Sequence, residues 1–269
     1  DKIAFTGETT TDSGLTVGVH AELEMGNEGP DVGAPPTLTS AGDDFNQLDE
    51  AYMYFSGGWG RVNFGSEDGA AYLLQVAAPS ADSNIDGMRV YVQAFNTDVW
   101  DDGLVNGSTT DVTARLDYDN ADFRDTDRLT YLTPKWNGFQ AGASYAPEAG
   151  QNVVDGAFAP IATDDDVGQF ENLWEVAARW DGEFEGFGIS LGAGYATAGT
   201  EADALAGTFG SDNLTSWDAG VNVSFNDFSI GAAYPTSDTG TSGANADLTT
   251  WVVGAAWDNG PYHLGGYCS

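Results

Sequence analysis

The sequence predicts an all-β fold: an antiparallel transmembrane β-barrel with one long loop folded into its interior. Three observations carry the barrel. Apolar and polar residues alternate with a period of two, strand-like segments pair around tight turns, and connections are short at one end of the pairs and long at the other. No run of about 18 apolar residues exists, which excludes a transmembrane helix, whereas a barrel strand needs apolar residues only at alternate positions.

Composition agrees. Gly is abundant, at 36 of 269 residues, aromatics make up 12%, and Met and Cys number 3 and 1. That usage suits a sheet-rich chain with many turns. The length fits one large all-β domain, 1–269. The net charge is −34, from 42 acidic residues against 8 basic ones, which argues against nucleic acid, because phosphate binding needs Lys and Arg. Two causes of the acidity stand side by side: a surface suited to a saline habitat, and an acidic lumen and mouth that attract cations. Cys268 has no second cysteine to pair with. No basic and then apolar leader opens the chain, so an export signal is expected upstream of Asp1.

The first strand pair is 2–10 and 15–25, joined by the turn TTDSG. In 15–25, Leu15, Val17, Val19, Ala21, Leu23 and Met25 share one face, and Thr16, Gly18, His20, Glu22 and Glu24 share the other. The second pair is 48–56 and 61–66 around GGWG; the third, after a long insert, is 128–133 and 139–145 around PKWNG. Then come 173–180 and 187–196 around DGEFEG, 215–225 and 228–234 around Asn226–Asp227, and 248–257 and 262–267 around DNGP. These make six hairpins and twelve strands. The opposite connections run roughly 25–48, 67–128, 146–172, 197–214 and 235–247. Short turns on one rim and long loops on the other are the asymmetry of an outer-membrane barrel, whereas a soluble sandwich mixes loop lengths.

Returning strands open with an aromatic after the tight turn (Phe139, Phe187, Phe228, Tyr262), and three reach a Tyr further on (Tyr145, Tyr195, Tyr234). At ~3.3 Å per residue and a tilt near ~45°, these pairs span roughly 14–19 Å and predict a membrane aromatic girdle. The stripe Trp217, Ala219, Val221, Val223, Phe225 is free of charge, and its other face carries Asp218, Gly220, Asn222 and Ser224. Behind Phe187, Ile189, Leu191, Ala193 and Tyr195 lie Gly188, Ser190, Gly192 and Gly194. A soluble surface would carry Lys and Glu there. Small polar residues fit the wall of a wide aqueous tube, with lipid outside.

These segments carry a resemblance. KIAFTGETTTDSGLTVGVHAELE is similar to an early hairpin of the general-diffusion porins of Gram-negative bacteria, of the alphaproteobacterial type. LDEAYMYFSGGWGRVNFGSEDGAA resembles the next hairpin, running into the constriction loop, and DRLTYLTPKWNGFQAGASYAP the one that follows it. The resemblance covers nearly the whole chain; its specific part is the order of the segments and the place of the one long insert. It implies a barrel of about sixteen strands, integral to the outer membrane and in contact with its lipid, assembled as a homotrimer. It also implies passive diffusion of small hydrophilic solutes, with no catalysis. Aligned this way the twelve strands are the second through the thirteenth, so the chain reads as truncated at both ends. Family members usually end on an aromatic residue; this chain ends Cys268–Ser269.

The chemistry of a pore is the width and charge of its constriction. The candidate is the loop 68–127, where eleven Asp stand against three Arg within 69–127. Folding into the lumen would explain so long a stretch in a compact barrel. A short helical turn is expected over 72–78, before Pro79. The resemblance implies that 67–86 lines the eyelet, with Glu67, Asp68, Asp82 and Asp86 among its acids, and that 111–119 adds rim structure. It also implies a facing basic cluster. Lys2 matches a family Arg position, and Arg61 and Arg179 fall on expected lumen faces, with the balancing of nearby acids as an equal alternative. Glu22 and Glu24 line the lumen too. Where relatives often carry another wall Arg, this chain has Ser66 and Glu67. The expectation is a preference for cations.

Other candidates are weaker. Asp164, Asp165 and Asp166, near Glu171, could hold Ca²⁺ through hard oxygen ligands, although a solvated acidic loop is the favoured reading. No other cofactor is expected. His20 reads as wall lining rather than a ligand, since two His and one Cys make a transition-metal site improbable. A rival class, a secreted acidic soluble β-protein that binds carbohydrate or calcium, would carry charge on its outer strand faces. A barrel hydrolase would need a catalytic set at the loop rim, and both His20 and His263 lie within strands.

Overall fold

The computed structural model describes residues 2–24, 47–79, 126–148, 170–200, 213–238 and 247–268. The strands are β1 (Lys2–Thr10), β2 (Thr16–Glu24), β3 (Gln47–Gly57), β4 (Gly60–Glu67), β5 (Thr126–Leu132), β6 (Phe139–Glu148) and β7 (Phe170–Phe184). They continue as β8 (Phe187–Thr200), β9 (Leu214–Phe225), β10 (Phe228–Asp238), β11 (Asp247–Thr249), β12 (Val252–Asn259) and β13 (Tyr262–Cys268). One short helix, α1 (Ala70–Leu73), follows β4. All strands join one antiparallel sheet in chain order, with β11 paired to β10 beside β12. Among the described residues β1 and β13 are the two edges of this barrel wall.

The tight turns are local chemistry. Asn137–Gly138 and Glu185–Gly186 take positive φ at both positions (49° and 83°; 50° and 86°). This is the backbone twist that two-residue hairpins favour. The second turn is tighter than the expected DGEFEG loop: Phe184 pairs with Phe187, and β7 runs on to the turn. The expected strand 248–257 is divided into β11 and β12. Both keep one register against β10, Thr236 opposite Thr249 and Ala233 opposite Val252. The interruption faces Pro235, which accepts from the Thr250 N–H at 3.1 Å but has no N–H to return.

Alternation then sorts the side chains. Phe5, Phe64, Val176 and Ile230 are 58%, 57%, 51% and 58% exposed on the outer face. No second layer of protein covers them among the described residues, and so broad an apolar surface is foreign to soluble monomers. Aromatics, exposed except for the half-buried Tyr145 and Trp257, form two rows along it. Near the tight turns, Phe187 pairs with Phe184 and Phe225, and Phe228 with Phe225 and Trp257. Towards the long-loop end, Tyr145 packs on Trp174 and Trp217 on Tyr234, ring centroids 4.6 and 5.5 Å apart. Phe139, Tyr195 and Tyr262 are exposed on the same face. The other parity holds the buried residues, including Leu173, Glu175, Ala177, Ala196 and Asp218.

Candidate functional site: a strap on the inner wall

Leaving β4, residues 68–79 cross the inner face of the sheet as a strap. Its apolar residues Ala70, Ala71, Leu74, Val76, Ala77 and Ala78 are buried against the wall. The helical turn sits earlier than the expected 72–78, because the wall captures its first N–H groups. Ser144 Oγ accepts from Ala70 N–H at 2.6 Å and Glu175 Oε2 from Ala71 N–H at 3.1 Å. Beyond Leu74 the strap runs without helix, and Arg179 Nη1 donates to the Gln75 carbonyl at 3.2 Å.

The wall glycines explain how the strap lies so close. A Cβ on Gly220 would run into the Val76 carbonyl, and one on Gly254 into the Pro79 carbonyl. Gly192 and Gly194 lie under Leu74, Val76 and Ala71. Toward the tight turns Gly188, Ser190, Asn222 and Ser224 line an open cavity, so the reading of that glycine face as tube lining is corrected only under the strap. Here, small residues admit a second stretch of backbone rather than water.

Charged groups around the strap are paired in a definite pattern. Arg128 donates to Glu175 at 2.6 Å, with side chains 1% and 4% exposed. Glu175 thereby joins a wall arginine to the strap backbone. Glu67, buried at the end of β4, accepts from Asn63 Nδ2 at both oxygens, 2.7 and 2.6 Å. Arg61 donates from Nε to Asn63 Oδ1 at 2.6 Å and lies 4.0 Å from the Tyr54 ring centroid, while the Tyr54 hydroxyl donates to Glu8 at 2.6 Å. Arg179 pairs with Asp181 at 2.9 Å, and Asp181 also meets Lys135 at 3.2 Å and Ser190 at 2.8 Å.

Of the residues singled out from sequence, Glu22, Arg61, Glu67 and Arg179 lie on the inner wall, and Asp68 begins the strap, half-buried. Lys2 and Glu24 oppose one another in the β1–β2 register. Asp82, Asp86, Asp164, Asp165, Asp166 and the segment 111–119 lie outside the described residues. Sequence reasoning missed Arg128, Glu175 and Ser144. The available signal was a lone Glu175 between Leu173 and Ala177 on the inward parity of its strand.

A sheet with an apolar outer face, short turns on one rim and a loop seated on its inner face defines the wall of an outer-membrane β-barrel. The chain matches the Gram-negative porin family over residues 1–268 and belongs to that family, whose members are integral to the outer membrane. OmpT of Vibrio cholerae, an outer membrane protein in its trimer form, is 13% identical, with a TM-score of 0.53 over 96% of this chain and 64% of its own. A variant of that OmpT lacking loop L8 is 14% identical, with a TM-score of 0.51 over 99% and 72%. An anion-selective porin from Comamonas acidovorans is 14% identical, with a TM-score of 0.48 over 99% and 67%. This chain thus spans less than two thirds of the first of these, 64%. No curated protein sequence matches it.

Proposed function

We propose that this chain supplies wall and constriction of a pore through which small hydrophilic solutes and ions diffuse passively, with cations preferred. The seated strap carries the reading. A loop tied by wall side chains across the inner face of a barrel narrows a water-filled tube at a fixed height. Three inner-wall arginines are engaged: Arg128 with Glu175, Arg179 with Asp181, and Arg61 with Asn63 and Tyr54. The wall also carries Glu8, Glu22, Glu50 and Glu67, in a chain of net charge −34. Lys2, Glu24, Asp68, Asp82 and Asp86 complete the constriction in this reading, and the two aromatic rows mark the membrane interfaces. A homotrimer in outer-membrane lipid is the proposed assembly, after the trimer form of the Vibrio cholerae protein.

The test is conductance of the complete protein in a planar bilayer under a salt gradient. A reversal potential of the cation-selective sign is expected. The chloride sign would refute the selectivity, and inserted protein without channel steps would refute the pore.

A further inference from the structure

Against the sequence expectation of His20 as wall lining, we infer that the inner wall carries a binding site for a divalent transition-metal ion of the Zn²⁺ class, formed by His20, Glu22 and Glu50. Strand geometry makes it. His20 and Glu22 lie two apart in β2 and so share the inward face. The β2–β3 register puts Glu50 directly opposite Glu22, and Tyr52 opposite His20. A register shift between Glu22 and Leu23 adds a bulge beside the cluster, a device that re-aims side chains.

One ligand atom from each residue lies within 4.8 Å of the others. His20 Nε2 is 3.4 Å from Glu22 Oε1 and 3.9 Å from Glu50 Oε2. A tetrahedral ion with bonds of about 2.0–2.1 Å needs its ligands roughly 3.3–3.5 Å apart. The first spacing already meets this, the second needs a small carboxylate movement, and the two carboxylate oxygens, within 4.8 Å of each other, close toward the ion. The side chains are 16%, 21% and 17% exposed, leaving room for solvent in a remaining coordination position.

What makes this more than two acids and a nearby ring is the support behind the histidine. Its Nδ1 is 2.8 Å from the Thr6 hydroxyl, on β1. Metal-bound histidines usually donate from their second nitrogen to a carboxylate, a backbone carbonyl or water, and the Thr6 hydroxyl takes that place here. A hydroxyl can donate or accept, so Thr6 serves the tautomer that donates to Glu22 and equally the one that offers Nε2 to a metal. Tyr52 covers the ring from the side, with centroids 5.1 Å apart. A nitrogen with two carboxylates favours Zn²⁺ over Ca²⁺, which takes six to eight oxygens.

The experiment titrates ZnCl₂ into the complete folded protein by calorimetry, for the wild type, His20→Asn and Thr6→Val. Thr6→Val keeps all three ligands and should weaken Zn²⁺ binding by about 10- to 100-fold, with His20→Asn at least as damaging. Excess Ca²⁺ should not displace Zn²⁺. Equal Zn²⁺ affinity in wild type and His20→Asn, or displacement by Ca²⁺ on equal terms, would overturn the site. A second readout uses the wild type alone: Zn²⁺ should protect His20, and not His263, from acylation by diethyl pyrocarbonate, read by mass spectrometry. Unprotected His20 at saturating Zn²⁺ also overturns it. Neither readout depends on the pore, so this site and the diffusion reading stand or fall separately.

Discussion

Replacing Glu175 by Gln probes the tie between wall and strap. Gln keeps the size of the side chain and an oxygen for the Ala71 N–H, but removes the charge facing Arg128 at 2.6 Å in a pair that is 4% and 1% exposed. Removing one partner of a buried pair costs about 3–5 kcal/mol, or about 10²- to 10⁴-fold in the folding equilibrium. Arg128→Met should cost a similar amount by the same reasoning. The double variant Arg128→Met/Glu175→Gln removes both charges of the pair, with Glu67 losing only its weaker attraction to Arg128, and retains the Ala71 acceptor. Its cost should fall to about 1–3 kcal/mol, that of an under-bonded buried amide. The assay is reversible urea unfolding of the complete protein in lipid vesicles, followed by tryptophan fluorescence. Single variants that lose less than about 1 kcal/mol, or a double variant equal to the sum of the singles, would refute the pair as an anchor.

Gly220→Ala places a methyl group where the Val76 carbonyl sits, so the strap backbone must move. A loss of about 1–3 kcal/mol and an altered single-channel conductance are expected. Gly266→Ala, with nothing within 4 Å of the added Cβ, should be neutral within about 0.5 kcal/mol in the same assay. Ile230→Arg puts a charge on the bare outer face, 58% exposed, and should cost about 2–4 kcal/mol in vesicles if that face meets hydrocarbon. Ser229→Arg, one residue away on the inner face, should cost much less; equal costs would contradict the assignment of faces.

Much of the wall was legible in the sequence. Alternation and turn chemistry are local, so the faces of 215–225 and 187–196 and the turns at Asn137 and Asn226 could be read within a few residues. The expected lumen positions Glu22, Arg61 and Arg179 follow from parity, whereas Glu67 rests on the family resemblance. Strand ends were less legible: β7 and β8 run further than their clean alternation, because pairing continues wherever a partner strand is present. The division between β11 and β12 depended on Pro235, a residue of the neighbouring strand.

The sequence by itself determined an antiparallel sheet with one apolar and one polar side, since a period of two needs no distant partner to be expressed. Only the tertiary structure decided what the polar side does. The Ala71 anchor joins residues 104 apart in the chain, and the Arg128–Glu175 pair joins residues 47 apart. Gly220 is a seat for Val76, and Glu50 a neighbour of His20, only once strands are placed side by side. Contacts of that kind come from register and from the path of a loop across the sheet, and no local pattern of residue types encodes either.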